Sequence, residues 1–195
     1  MTDFDEVIEL KFEERFIEYG IIKGNSTVCF FKAGANGSMR GYQDKYLEIG
    51  KKLHQKYGYT IVCSSNPFAM QDSLSQGIQV IEKYMRGPYQ VYYMGHSNGA
   101  LQGARSGYLF PQIKRMLLVN GPITFNLHKT REGISKFKGD KIVFVYGTED
   151  PSFPYLGLLD KYSSEIVSCV SIQGADHNFV GKLNEFENLF ERYLI

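Results

Sequence analysis

Three features of this sequence have the types and order that nucleophilic chemistry needs: a serine between two glycines, an aspartate before a proline, and a histidine in a late loop. A serine hydroxyl is a poor nucleophile at neutral pH. It needs a base to take its proton, and the base needs an acid to orient it. The serine is Ser97, in Gly95-His96-Ser97-Asn98-Gly99, a G-x-S-x-G pattern. The run Tyr89 to Met94 before it reads as a strand, and Asn98 to Leu109 after it as a helix. A serine at the apex of so sharp a turn is held in strained backbone with its hydroxyl exposed. The glycines let strand and helix approach, and the helix start offers free N–H groups to a developing anion. By chance alone, the five residues describe a glycine-rich turn with a capping serine. Their place inside an alternation of strands and helices favours the chemical reading.

The acid must follow the serine, and the base must follow the acid. The strand Ile142 to Tyr146 ends in Gly147-Thr148-Glu149-Asp150-Pro151, which makes Asp150 the candidate acid and its neighbour Glu149 the rival. The strand Ile166 to Ile172 ends in Gln173-Gly174-Ala175-Asp176-His177-Asn178-Phe179. Of the four histidines, His54 falls inside a helix, His96 must point away from the serine beside it, and His128 follows no strand end. His177 is left as the candidate base. The oxyanion donors expected are the N–H of Asn98, just after the serine, and the N–H of Ala35, in the loop Ala33-Gly34-Ala35-Asn36-Gly37.

The elements that must position these residues are legible from periodicity. Glu6 to Phe12 and Arg15 to Lys23 read as adjacent strands joined by a tight turn. Ser26 to Lys32 carries the apolar run Val28-Cys29-Phe30-Phe31, followed by a loop from Ala33 to Gly41. Tyr42 to Tyr57 has apolar residues at helical spacing and a capping Gly58. Tyr59 to Cys63 is a strand, and Asp72 to Met85 a helix stopped by Gly87-Pro88. Arg115 to Val119 and Lys141 to Tyr146 are further strands, and Lys182 to Leu194 is a last helix. Apolar strands separated by amphipathic helices imply an α/β architecture with a mostly parallel sheet covered on both faces. In such a sheet, ligands bind beyond the carboxyl ends of the strands. The candidate residues all fall there.

Composition sets the outer limits. A chain of 195 residues suits one domain, 1–195, and its 43% hydrophobic and 22% charged residues are ordinary for a globular core. A formal net charge of +1 gives no reason to expect a nucleic acid or an anionic membrane as partner. The start Met1-Thr2-Asp3-Phe4-Asp5-Glu6 lacks the basic and apolar regions of a secretory signal. No apolar run approaches the roughly 20 residues of a membrane span. Cys29, Cys63 and Cys169 sit in apolar stretches like reduced core thiols, and their spacing suggests neither a disulfide framework nor a metal site. The expected location is cytoplasmic.

Strand-end glycines, G-H-S-N-G, G-T-E-D-P and G-A-D-H-N-F, in this order, resemble the α/β-hydrolase superfamily, from about Ser26 to the C-terminus. The resemblance implies a three-layer fold with an eight-stranded, mostly parallel sheet. It also implies acyl-transfer chemistry on esters, thioesters or amides, with a triad at Ser97, Asp150 and His177. The partner implied is a small acyl substrate, with no metal and no organic cofactor. Two departures stand out. Many members have His-Gly where this chain has Ala33-Gly34, and Ser64-Ser65-Asn66-Pro67-Phe68 lacks the family's usual pattern after the fourth strand. The connection from Gly121 to Gly139 has room for one short helix and no separate cap domain. An open, shallow pocket is therefore expected, with an apolar lining drawn from Phe68, Met70, Ile123, Phe125 and Tyr155. Arg40 reads as a surface residue more readily than as a substrate contact. An acyltransferase or small peptidase would use the same triad, and a non-catalytic scaffold would have no need of it.

Overall fold

The computed structural model describes residues 3–69 and 71–195. Eight strands form one sheet in the order β1-β2-β4-β3-β5-β6-β7-β8. β1 (Glu6–Phe12) and β2 (Arg15–Ile22) form the expected hairpin at one edge. β2 pairs antiparallel with β4 (Tyr59–Ser64). From there the pairing is parallel through β3 (Asn25–Lys32), β5 (Gln90–His96), β6 (Ile113–Val119), β7 (Lys141–Gly147) and β8 (Val167–Ile172). The sheet is therefore mixed, with β2 the strand that runs against the rest.

The helices are α1 (Lys45–Tyr57), α2 (Leu74–Tyr84), α3 (Asn98–Ser106), α4 (Leu127–Lys136), a single turn α5 (Leu156–Leu159) and α6 (Leu183–Leu194). Alternate strand residues belong to two separate hydrophobic clusters, as the two-residue period of a strand requires. Val28 and Phe30 of β3 pack with Leu74 and Ile78 of α2, Ala100 and Ala104 of α3 and Ile134 of α4. Cys29 and Phe31 pack with Leu47 and Leu53 of α1 and Phe186 and Phe190 of α6. The inner strands β3 to β7 are buried along most of their length, which is why their sequences read as nearly continuous apolar runs. Gly58 ends α1 in the left-handed conformation (φ 69°) and returns its N–H to the His54 carbonyl. No described helix is long and apolar enough to cross a membrane.

One buried charge sits in this sheet. Lys32, the last residue of β3, is fully buried and donates to the Ser64 hydroxyl and the Ser65 carbonyl at 2.9 and 3.0 Å. It ties the ends of β3 and β4 together below the loop that begins at Ala33. Burial pushes its pKa down from 10.5 to about 7, against a weaker opposing pull from Asp72. Unfolding returns the amine to water, where it keeps its proton up to about pH 10.5. Between these values the unfolded chain binds more protons than the folded one, so this group makes stability rise with pH, by at most about 1.4 kcal/mol per pH unit. The buried thiols of Cys29 and Cys63 act the opposite way above about pH 8.5. Urea unfolding of wild type should therefore show a rise in stability between pH 7 and 8.5 that Lys32→Met reduces. An unchanged slope in that variant would remove Lys32 as the cause.

Candidate active site

The turn from β5 to α3 is built as the pattern demands. Ser97 sits at φ 53° and ψ −118°, outside the ordinary regions for a residue with a side chain. Its N–H donates to the Val119 carbonyl of β6 at 2.8 Å, and its own carbonyl accepts from Leu101 at 3.1 Å. The strain is thus held by the next strand on one side and the first helical turn on the other. A side chain at Gly95 would meet the Gly99 backbone at 2.4 Å, and one at Gly99 would meet the Lys32 carbonyl at 2.3 Å. The two flanking glycines are there because backbone lies against backbone.

Asp150 follows β7 in a turn closed by Asp150 N–H to the Gly147 carbonyl at 3.1 Å. Its side chain is wholly buried. Oδ1 accepts from the Ser152 N–H at 2.6 Å, and Oδ2 accepts from Nδ1–H of His177. Glu149, by contrast, is exposed. The side chain of His177 is 40% exposed, so one ring edge faces a buried carboxylate and the rest is open to the site.

The backbone of His177 is clamped. His96 Nε2–H donates to the His177 carbonyl at 2.6 Å, and Asn120 Nδ2–H donates to the same oxygen at 3.1 Å. Asn120 also accepts the Gly147 N–H at 2.9 Å, so one side chain joins the loops after β7 and β8. The His96 and His177 rings lie 5.0 Å apart. Burial, then the Lys45 ammonium and the His177 ring, push the His96 pKa well below the usual histidine range. His96 is therefore neutral and supplies a proton donor without adding charge.

The loop after β3 lies against the serine: a side chain at Gly34 would come within 2.9 Å of Ser97 Cβ. A buried amide network holds this loop and the turn together. Asn98 Oδ1 accepts from Asn66 and Gln102, both at 2.8 Å, and Asn66 Nδ2 reaches the Ala33 carbonyl at 3.2 Å. The backbone N–H of Asn98 opens α3 and has no intrahelical acceptor, as at any helix start.

Ala33, Gly34, Ala35, Ser97, His96 and His177 share the wall of a cavity of about 520 Å³, together with Tyr42 and Lys45 of the segment that leads into α1. The structure thus brings the five polar-site residues expected from the sequence to neighbouring strand ends. It does not bring the expected apolar lining there. Ile123 is fully buried in the core. Phe68 packs on Phe12 and under Arg15. Phe125 is 56% exposed, and Tyr155 packs on the core beside β7. None of these four lines the cavity, and Met70 lies outside the described residues. The segment from Ile123 to Phe125 leads into α4, which spans most of the short connection. Arg40 pairs with Asp44 and Asp3 and is not among the residues that line the cavity. Among the described residues, no group of three or more metal-ligating side chains exists.

This architecture is the α/β-hydrolase fold. No protein-family model and no curated protein matches the sequence. The similarity lies in solved structures. A protein of unknown function from Agrobacterium tumefaciens, proposed to be an α/β hydrolase, superposes with a TM-score of 0.75 at 16% identity, covering 97% of this chain and 94% of that one. An α/β serine hydrolase homologue from Coxiella burnetii gives 0.72 at 18% identity, with 97% of each chain covered. A lidless α/β serine hydrolase from Xanthomonas campestris gives 0.66 at 12% identity, covering 98% and 94%.

Proposed function

We propose that this chain is a single-domain serine hydrolase that cleaves small acyl esters, thioesters or amides through an acyl-enzyme. The observation that carries this reading is the buried Asp150 carboxylate bonded to His177 on the same cavity wall as the strained Ser97. His177 takes the proton as Ser97 Oγ bonds to the acyl carbon. The tetrahedral oxyanion is received by the N–H groups of Asn98 and Ala35. The carbon–leaving-group bond then breaks and His177 gives its proton to the departing alkoxide, thiolate or amine. Water repeats the cycle on the acyl-enzyme and frees the acid and Ser97. Asp150 holds the ring tautomer and stabilises the imidazolium.

The three-layer arrangement that belongs to this reading is supported by the two hydrophobic clusters reached by alternate strand residues. A reducing, cytoplasmic location fits three cysteines that are all unpaired. The chemistry calls on no metal or organic cofactor.

A panel of acyl esters tests the reading. No described residue of the connection between β6 and β7 lines the cavity, so that connection supplies no wall for a long acyl chain. Each buried CH₂ is worth about 0.8 kcal/mol only where there is apolar surface to bury it against. kcat/KM is therefore expected to rise over the first few acyl carbons and then level off or fall, without activation at a lipid–water interface. A steady rise to long fatty acyl chains would overturn the open-pocket reading. Alcohol release unmatched by free acid would mark acyl transfer instead.

A further inference from the structure

The chemistry above leaves one charged group of the cavity unused. Lys45 opens α1, is only 2% exposed, and lines the cavity beside Ser97 and His177. Its Nζ lies 4.1 Å from the centroid of the Phe186 ring and 5.5 Å from that of Tyr46, and no acceptor among the described residues reaches it. The neighbouring cations are occupied: Arg40 by Asp44 and Asp3, Lys51 by Asp3 and Glu48. Among the described lining residues there is no carboxylate. Asp176 favours the charged form of Lys45, but its Oδ1 is taken by the N–H groups of Asn178 and Val180.

A buried ammonium with no acceptor is costly, and a methionine would pack the same stem without that cost. The contact with the Phe186 face recovers part of it, since a ring face attracts a desolvated cation. Burial still pushes the Lys45 pKa down to about 8. A donor in this condition binds an incoming anion well, because the anion supplies the acceptor that the fold withholds.

We propose that Lys45 is the anion-recognising group of this cavity, and that the substrate is an acyl ester, thioester or amide bearing a carboxylate within the same small cavity as the scissile carbonyl. The inference rests on the hydrolase reading and adds the substrate's charge to it. Nζ makes no contact with solvent as it lies over Phe186. Rotation about the last torsions of the lysine stem brings it to the anion.

The test compares two 4-nitrophenyl esters with the same acyl backbone, the hemisuccinate and its methyl ester, which differ in one negative charge and one methyl group. The wild type is expected to prefer the charged ester in kcat/KM by about tenfold or more, and Lys45→Met to reduce that ratio by about 30-fold or more, as loss of a buried charge partner does. The ratio cancels any general damage to the site. A ratio that Lys45→Met leaves within about threefold overturns the proposal, because a lysine that merely packs, or merely keeps His96 neutral, affects both esters alike. Lys45→Gln gives the same readout if the methionine variant fails to fold. Calorimetric titration with succinate separates this proposal from the hydrolase reading. If Ser97 fails to react with a fluorophosphonate, binding of succinate that Lys45→Met abolishes still upholds the anion site. Absence of such binding in the wild type removes it.

Discussion

Ser97→Ala is expected to abolish both ester hydrolysis and labelling by a fluorophosphonate probe, with a loss in kcat on the order of 10⁴- to 10⁶-fold. Loss of that size follows when nucleophile, base and acid act as one unit, so that removing one member removes most of what all three supply. What survives is the contribution of the oxyanion donors and of binding. The fold should survive the change. Ser97 holds its place through backbone bonds, to Val119 on one side and Leu101 on the other, and alanine keeps both. Its positive φ costs an alanine about what it costs a serine. Circular dichroism and urea unfolding would check the fold beside the assay. Undiminished labelling of the alanine variant would place the nucleophile elsewhere.

Asp150→Asn is expected to cost roughly 10⁴-fold in kcat, because an amide oriented to accept from Ser152 presents its NH₂ to His177 and favours the wrong ring tautomer. The geometry sharpens the comparison with its neighbour. Asp150 is buried with both oxygens engaged, whereas Glu149 is exposed. Glu149→Gln should therefore change kcat by less than about threefold, as surface substitutions away from buried networks do. A reversal of the two effects, measured on one ester at one pH, would move the acid by one residue. A large effect from both would indicate that the whole turn after β7 had shifted.

Much of the site was legible because it lies at strand ends. The alternation of apolar runs with helical spacing located the strands, and the chain order of serine, acid and base then picked one residue from each late loop. The sequence offered Asp150 with Glu149 as its rival, and only the structure separates them by burial: Asp150 is buried and Glu149 exposed. The clamps around the site were not legible. Asn66, Asn98 and Asn120 look like loop punctuation, since asparagine is common wherever the chain turns. Their partners lie far away in sequence and become neighbours only through parallel register. Lys45 at the start of a helix reads as a solvated residue until α6 is packed over it. The expected apolar lining went astray for a related reason. Phe68, Ile123 and Tyr155 follow strand ends, but an apolar residue there can turn either into the core or toward a ligand. Sequence spacing does not say which way a loop side chain points.

The helical turns between β7 and β8 were also missed. Phe153–Tyr155, Leu156–Leu159 and Asp160–Tyr162 follow one another as short 3₁₀ and α turns. None is long enough to show a period, so only contact with β8 and the core holds them.

The two buried lysines have a consequence for how the molecule behaves in bulk. The formal net charge of +1 counts every lysine as an ammonium. In the folded chain burial pulls the pKa of Lys32 down to about 7 and that of Lys45 down to about 8, so both amines are partly neutral between these values. The native protein is therefore closer to zero charge around neutral pH than its composition implies, and its isoelectric point lies below that of the unfolded chain. Colloidal repulsion between molecules is weakest where net charge vanishes. The least soluble condition for the native protein falls close to neutrality, and moderately acidic buffers, which restore both ammonium groups, keep its molecules further apart.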